Sequence, residues 1–178
     1  MSVTKRGEKE QRLGEFIGEY LAEARTARPQ PSLEILLIAR SVDSPVVRAV
    51  AGLASEIAAA GYSLRLIVGQ ADRESLPPGW VLSEAVEVDC EVRWARKPRL
   101  IEAHEQLVLG PQTCWTGDTM RRDPAKCDAY ETFTDACTDT AASASVSFER
   151  LWQASEPLFG RAPSARYLGE ALGAIRRH

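Results

Sequence analysis

His104 is the residue in this sequence best suited to chemistry, and it stands in an otherwise largely apolar, strand-like stretch. A histidine can attack phosphorus when the attacking ring nitrogen is neutral and a partner holds the other. Basic residues lie on both sides of it in sequence: Arg93, Arg96, Lys97 and Arg99 before, Arg121 and Arg122 after. Guanidinium forks match the oxygens of phosphate. The two groups would bind an anion if the fold brings them to one cleft. The alternative is a solvated face, or pairing with Glu91, Glu102 and Asp123. His104 itself has the plainer reading of a satisfied core or surface residue.

Other chemistries have less behind them. Cys114 beside Trp115 would act as a nucleophile only with His104 across adjacent strands and a third, orienting group. A buried, inert thiol is the simpler reading. The chain has four cysteines and two histidines, with no C-x-x-C pair and no zinc-finger spacing, so no metal is expected. No G-x-G-x-x-G follows Ala39 and there is no P-loop, so no nucleotide cofactor is implied. The net charge of -3 argues against wholesale binding of nucleic acid or anionic membrane, while leaving room for a local basic patch. No apolar run approaches the ~20 residues that span a bilayer. The N-terminus shows no signal-peptide core, so the expectation is a cytoplasmic protein without membrane partners.

The elements that must position these residues can be read from pattern. The 178 residues suit one domain with a helical appendage: residues 1–31 as helix and linker, residues 32–178 as an α/β domain. Residues 1–10 read as a frayed polar start. Leu13, Phe16, Ile17, Tyr20, Leu21 and Ala24 then follow helical spacing and predict an N-terminal amphipathic helix, packed on its own domain or on a partner. Residues 33–39 predict a buried strand. Ser44 as N-cap, Pro45 at the first helical position and Val46, Val50, Leu53 and Ile57 predict a helix, with Gly61 just past its end. Residues 62–68 predict a second strand, completing a right-handed βαβ unit. Residues 91–96 read as extended and residues 100–109 contain a strand. A short strand over 112–116 ends at Gly117, and another covers 128–134. A helix from about Ala141 carries Val146, Leu151 and Trp152, with Phe148 near that face, and a last helix covers 166–175.

Residues 101–133 have a recognisable order: a histidine in a strand, a turn, a short strand, a glycine, a polar loop, and then Glu131 in the next strand. This resembles the C-terminal part of a phospholipase D-like domain, whose signature is His-x-Lys-x4-Asp, then Gly-Ser-x-Asn and a downstream Glu. The early βαβ unit and Phe148-x-x-x-Trp152 on a late helix extend the resemblance over roughly residues 33–158. His104 falls on the family's nucleophile, Gly117 on its glycine and Glu131 on its downstream acid. Gln106 replaces the lysine, Pro111 the aspartate, Asp118 the serine and Met120 the asparagine.

The resemblance implies an α/β fold with a mixed central sheet flanked by helices. It places catalysis, if any, on His104 and Glu131. Anion binding would fall to Gln106 and Gly117, joined by Arg121, Arg122, Arg96 and Arg99. Gln106 can donate a hydrogen bond but carries no charge, and Asp118 repels phosphate unless protonated or paired. Losing one transition-state donor costs about 3 kcal/mol, a hundredfold or more in rate. The expected function is therefore a non-catalytic domain serving binding, scaffold or regulation, with a phosphate-containing ligand or nucleic acid in the old cleft. The alternative is a divergent phosphodiesterase or nuclease using His104. Single-motif members of the family pair two chains, which implies a homodimer. A third reading is a partner-binding module built on the N-terminal helix.

Overall fold

A computed structural model describes residues 6–26, 34–70, 88–96, 103–120 and 131–158. Helix α1 spans Arg6–Thr26, strand β1 Glu34–Ser41, helix α2 Pro45–Gly52, helix α3 Ala54–Ala59 and strand β2 Ser63–Gln70. Strands β3 (Cys90–Trp94), β4 (His104–Val108), β5 (Cys114–Thr119) and β6 (Thr132–Thr134) follow. Helix α4 (Thr138–Gln153) and the short β7 (Glu156–Pro157) complete the described elements.

Among the described residues seven strands make one mixed sheet, in the order β6-β5-β4-β1-β2-β3-β7. β1, β2 and β3 run parallel; β4, β5 and β6 continue antiparallel on the other side of β1. The alternation of β1 explains the two-sided burial. Ile35, Leu37 and Ala39 face α1, α2 and α3, with Leu64, Leu66, Leu107 and Trp115. Leu36 and Ile38 face α4, with Ile67, Val108 and Cys114. A sheet buried on both faces by helices is the α/β arrangement expected from the βαβ pattern.

Several local expectations are refined. The single helix expected after β1 is two: Gly52 and Leu53 break it, Leu53 having φ -110° and ψ 15°. Glycine is a poor helix former, and the break falls where it stands. Ser44 occupies the N-cap position with Pro45 at the helix start, but its hydroxyl makes no cap bond to the helix. It accepts the Ser41 N–H instead, at 3.2 Å. Gly61 takes φ 80°, the left-handed conformation that ends a helix. β5 runs on through Gly117 to Thr119. In α4 the buried face is Ala141, Ala144, Phe148, Leu151 and Trp152, while Val146 points outward at 51% exposure. Residues 128–130 of the strand expected over 128–134, and the helix expected over 166–175, lie outside the described residues.

The N-terminal helix begins at Arg6, not near Leu13, so residues 6–10 are helical and not a frayed start. Leu13, Ile17 and Leu21 are buried in the same cluster as β1 and β2. The helix therefore spends its apolar stripe on its own domain. Its early start has a consequence: Lys9, one turn before Leu13, is carried onto the inward face and is only 5% exposed.

Candidate functional site

The strands place the candidate residues at one end of the sheet, where β1 ends and β4 begins. β1 continues through α2 and α3 to β2 on one side, and β4 flanks it on the other. In open α/β sheets the crevice for ligands forms outside the carboxyl ends of the parallel strands, at such a switch in strand order.

His104 is the first residue of β4 and is exposed. Its Nδ1 lies 3.0 Å from the carbonyl oxygen of Gly117. A carbonyl only accepts, so Nδ1 carries a proton, and in the neutral ring the lone pair is on Nε2. Gly117 thus contributes through its backbone. Its missing side chain matters too, because a Cβ there would strike the ring of Trp115. Gln106 is half-buried, two residues along β4 from His104 and opposite Ile38 of β1.

β5 carries an irregularity at this point. His104 pairs with Thr119 and Gln106 with Thr116, so Gly117 and Asp118 together oppose Glu105. A bulge of this kind re-aims the side chain it displaces. Asp118 turns toward α1, where it meets Lys9. The Lys9 ammonium lies 3.8 Å from Glu105 and 4.0 Å from Asp118, with all three side chains almost wholly buried. It also sits 4.9 Å above the Trp115 ring. Burial holds Lys9 below its ordinary value of 10.5, outweighing the pull of the two carboxylates in the other direction. Glu105 has a second task, accepting the backbone N–H of Arg40 at 3.1 Å.

The expected site residues are only partly brought together. His104, Gln106 and Gly117 share the β4–β5 hairpin. Glu131 is held by an ion pair with Arg12 of α1. Asp118 meets the condition under which it would be tolerated, since Lys9 pairs it. Arg96 pairs with Glu156 at 2.7 Å, just beyond β3. β3 stands three strand spacings from β4, roughly 14 Å at ~4.8 Å each. Arg93 pairs with Glu91 and covers the face of Trp152 at 4.4 Å. Arg99, Arg121 and Arg122 lie outside the described residues. Lys9, Arg12 and Arg40 are site neighbours that the sequence reading missed. Glu105 gave the available signal: it shares a strand face with buried Leu107, and a carboxylate on a buried face requires a cation.

Cys90, Cys114 and Cys137 are the free cysteines among the described residues. Burial pushes the Cys90 thiol up to about 12 and also raises Cys114. Cys137 is lowered by hydrogen bonding with Thr140. Among the described residues no group of three or more His, Cys, Asp or Glu is placed to hold a metal. Nor is any helix among them long and apolar enough to cross a membrane.

No protein-family model and no curated protein sequence matches the chain. Solved structures do. Polyphosphate kinase from Porphyromonas gingivalis aligns with 91% of this chain and 28% of its own, with a TM-score of 0.52 and 18% identity. Nuc from Salmonella typhimurium, described as a phospholipase D family member, aligns with 82% of this chain and 91% of its own, with a TM-score of 0.49 and 12% identity. TrmBL2, an archaeal chromatin protein described as showing a novel mode of DNA binding, aligns with 82% of this chain at a TM-score of 0.49 and 13% identity. The chain spans about half of TrmBL2, 52%. With its mixed sheet and flanking helices, the chain shares its fold with the part of that polyphosphate kinase it aligns with.

Proposed function

We propose that this chain is a phospholipase D-like domain that binds a phosphate-containing ligand at His104 without turning it over. One observation carries the reading. The ring is held by its Nδ1 contact to the Gly117 carbonyl, yet position 106 offers a neutral amide, and the nearby Lys9 is locked between Glu105 and Asp118. An oxyanion can be hydrogen-bonded by such a site. The charge developing in phosphoryl transfer needs fixed cationic donors as well. Hydrolysis of bis(p-nitrophenyl) phosphate is expected to be the same for wild type and His104→Ala. A hydrolytic rate that disappears with His104 would overturn the binding-only reading.

That outcome would favour the second reading, a divergent phosphodiesterase. Its supporting observation is the Nδ1–H bond to Gly117, which makes Nε2 the nitrogen that would attack from the neutral ring. In either case we propose that two copies of the chain associate, as single-motif domains of this fold class would to bring two histidines together. Light scattering at micromolar concentration should give the mass of a dimer; a monomer mass would rule the pairing out.

A further inference from the structure

Arg40 lies near the end of β1. The β1–β4 register pairs Leu36 with Val108 and Ile38 with Gln106. Continued by one more step of two, it sets Arg40 opposite His104. The two strands part there, because the Arg40 N–H is taken by the Glu105 carboxylate. The guanidinium reaches further, and its Nη2 donates to the carbonyl of Thr119 at 2.9 Å. Thr119 is the residue that pairs with His104. The guanidinium and the imidazole are therefore anchored on one stretch of β5, at carbonyls two residues apart.

Charge separates Arg40 from its neighbours. Lys9 is ion-paired with Glu105 and Asp118, and Arg12 with Glu131. Of these three cations, Arg40 alone makes no ion pair among the described residues; its side-chain partner is a neutral carbonyl. Its Nε is buried without a hydrogen-bond partner. A guanidinium that makes no ion pair and has an unmet N–H donor is a strong donor to an oxyanion.

We propose that Arg40 supplies, from β1, the positive charge that Gln106 lacks on β4, and that it binds a phosphate oxyanion together with His104. The inference rests on the anion-binding reading above and names the cation of that site. The ligand chemistry is a phosphate group, either terminal or within a diester.

The test titrates inorganic phosphate, and separately dimethyl phosphate, into the full ¹⁵N-labelled chain. The ring signals of His104 and the Nε–H signal of Arg40 are followed together. Both are expected to move with one saturation curve. Binding should weaken by roughly tenfold or more in Arg40→Gln, as for a lost hydrogen bond to a charged group, and largely return in Arg40→Lys. Saturation by inorganic phosphate alone assigns a terminal phosphate; saturation by dimethyl phosphate assigns a diester; either supports the proposal when it depends on Arg40. If His104 saturates while the Arg40 signal stays still, or if folded Arg40→Gln binds as wild type does, Arg40 is overturned and the anion site stands. If neither anion moves His104 in the wild type, the anion site itself falls and Arg40 falls with it. The Arg40 signal decides the matter in the wild type even if Arg40→Gln does not fold.

Discussion

Lys9→Met is expected to destabilise the fold by about 3–5 kcal/mol, read as a fall in the urea midpoint. The substitution keeps the bulk and removes the charge. Glu105 and Asp118 are then left as two carboxylates in a nearly closed space, 5% and 11% exposed, without the cation between them. The cost comes from those uncompensated charges, and not from the worth of the ion pair itself. A triple variant makes the distinction. Lys9→Met with Glu105→Gln and Asp118→Asn removes all three charges, keeps an acceptor for the Arg40 N–H, and is expected to recover most of the loss. A loss of less than about 1 kcal/mol in Lys9→Met would show that the carboxylates reach water or other partners.

The same residue sets a pH dependence with a definite sign. Burial depresses Lys9 below 10.5 in the folded chain. Between that lowered value and 10.5 the unfolded chain binds a proton that the folded chain does not, so the Lys9 contribution to stability rises with pH in that window. Cys90 acts oppositely. Its folded value is about 12 against 9.0, so its contribution is complete below 9.0 and is lost as pH rises toward 12. The difference between wild type and Lys9→Met cancels Cys90 and should carry the upward slope alone.

Trp115→Ala is the second large effect, a destabilisation of about 3–5 kcal/mol for emptying a fully buried site. Trp115 is 0% exposed and belongs to the cluster formed with α1, β1 and β2. Its ring lies over Gly117 and under Lys9. Truncation therefore opens a cavity and also removes the aromatic face beneath a desolvated ammonium, a contact of about 2 kcal/mol at most sites of this kind. Trp115→Phe should cost much less, because it refills most of the volume and removes an indole N–H that has no hydrogen-bond partner. Far-UV circular dichroism during urea unfolding follows both variants without relying on tryptophan emission. Equal losses in the Ala and Phe variants would show that the cavity is not what matters.

Much of this arrangement was legible before any coordinates. The βαβ unit was, because the run 35–39 has no polar face and must be covered on both sides. The later strands were legible through their turns, with Gly110 and Pro111 separating β4 from β5. The positions of His104 and Gly117 could be placed because the order of strand, turn, strand and glycine is written along the chain. What misled the reading was the charge of residues 1–10. A run of polar residues looks frayed, yet Lys9 keeps the helical spacing of Leu13 and Ile17 and is buried with them.

The sequence by itself determined the α/β class, the strand carrying His104 and the neutral Gln106 two residues along it. Those properties are local: they depend on periodicity and on residue order. Only the tertiary structure decided which charges cancel. Lys9 meets Asp118 because β5 bulges, Glu131 meets Arg12 because α1 starts early, and Arg40 comes level with His104 because β1 and β4 lie side by side. The partners in these three pairs are 109, 119 and 64 residues apart along the chain. Electrostatic pairing depends on distance in space, and no pattern along the chain records it.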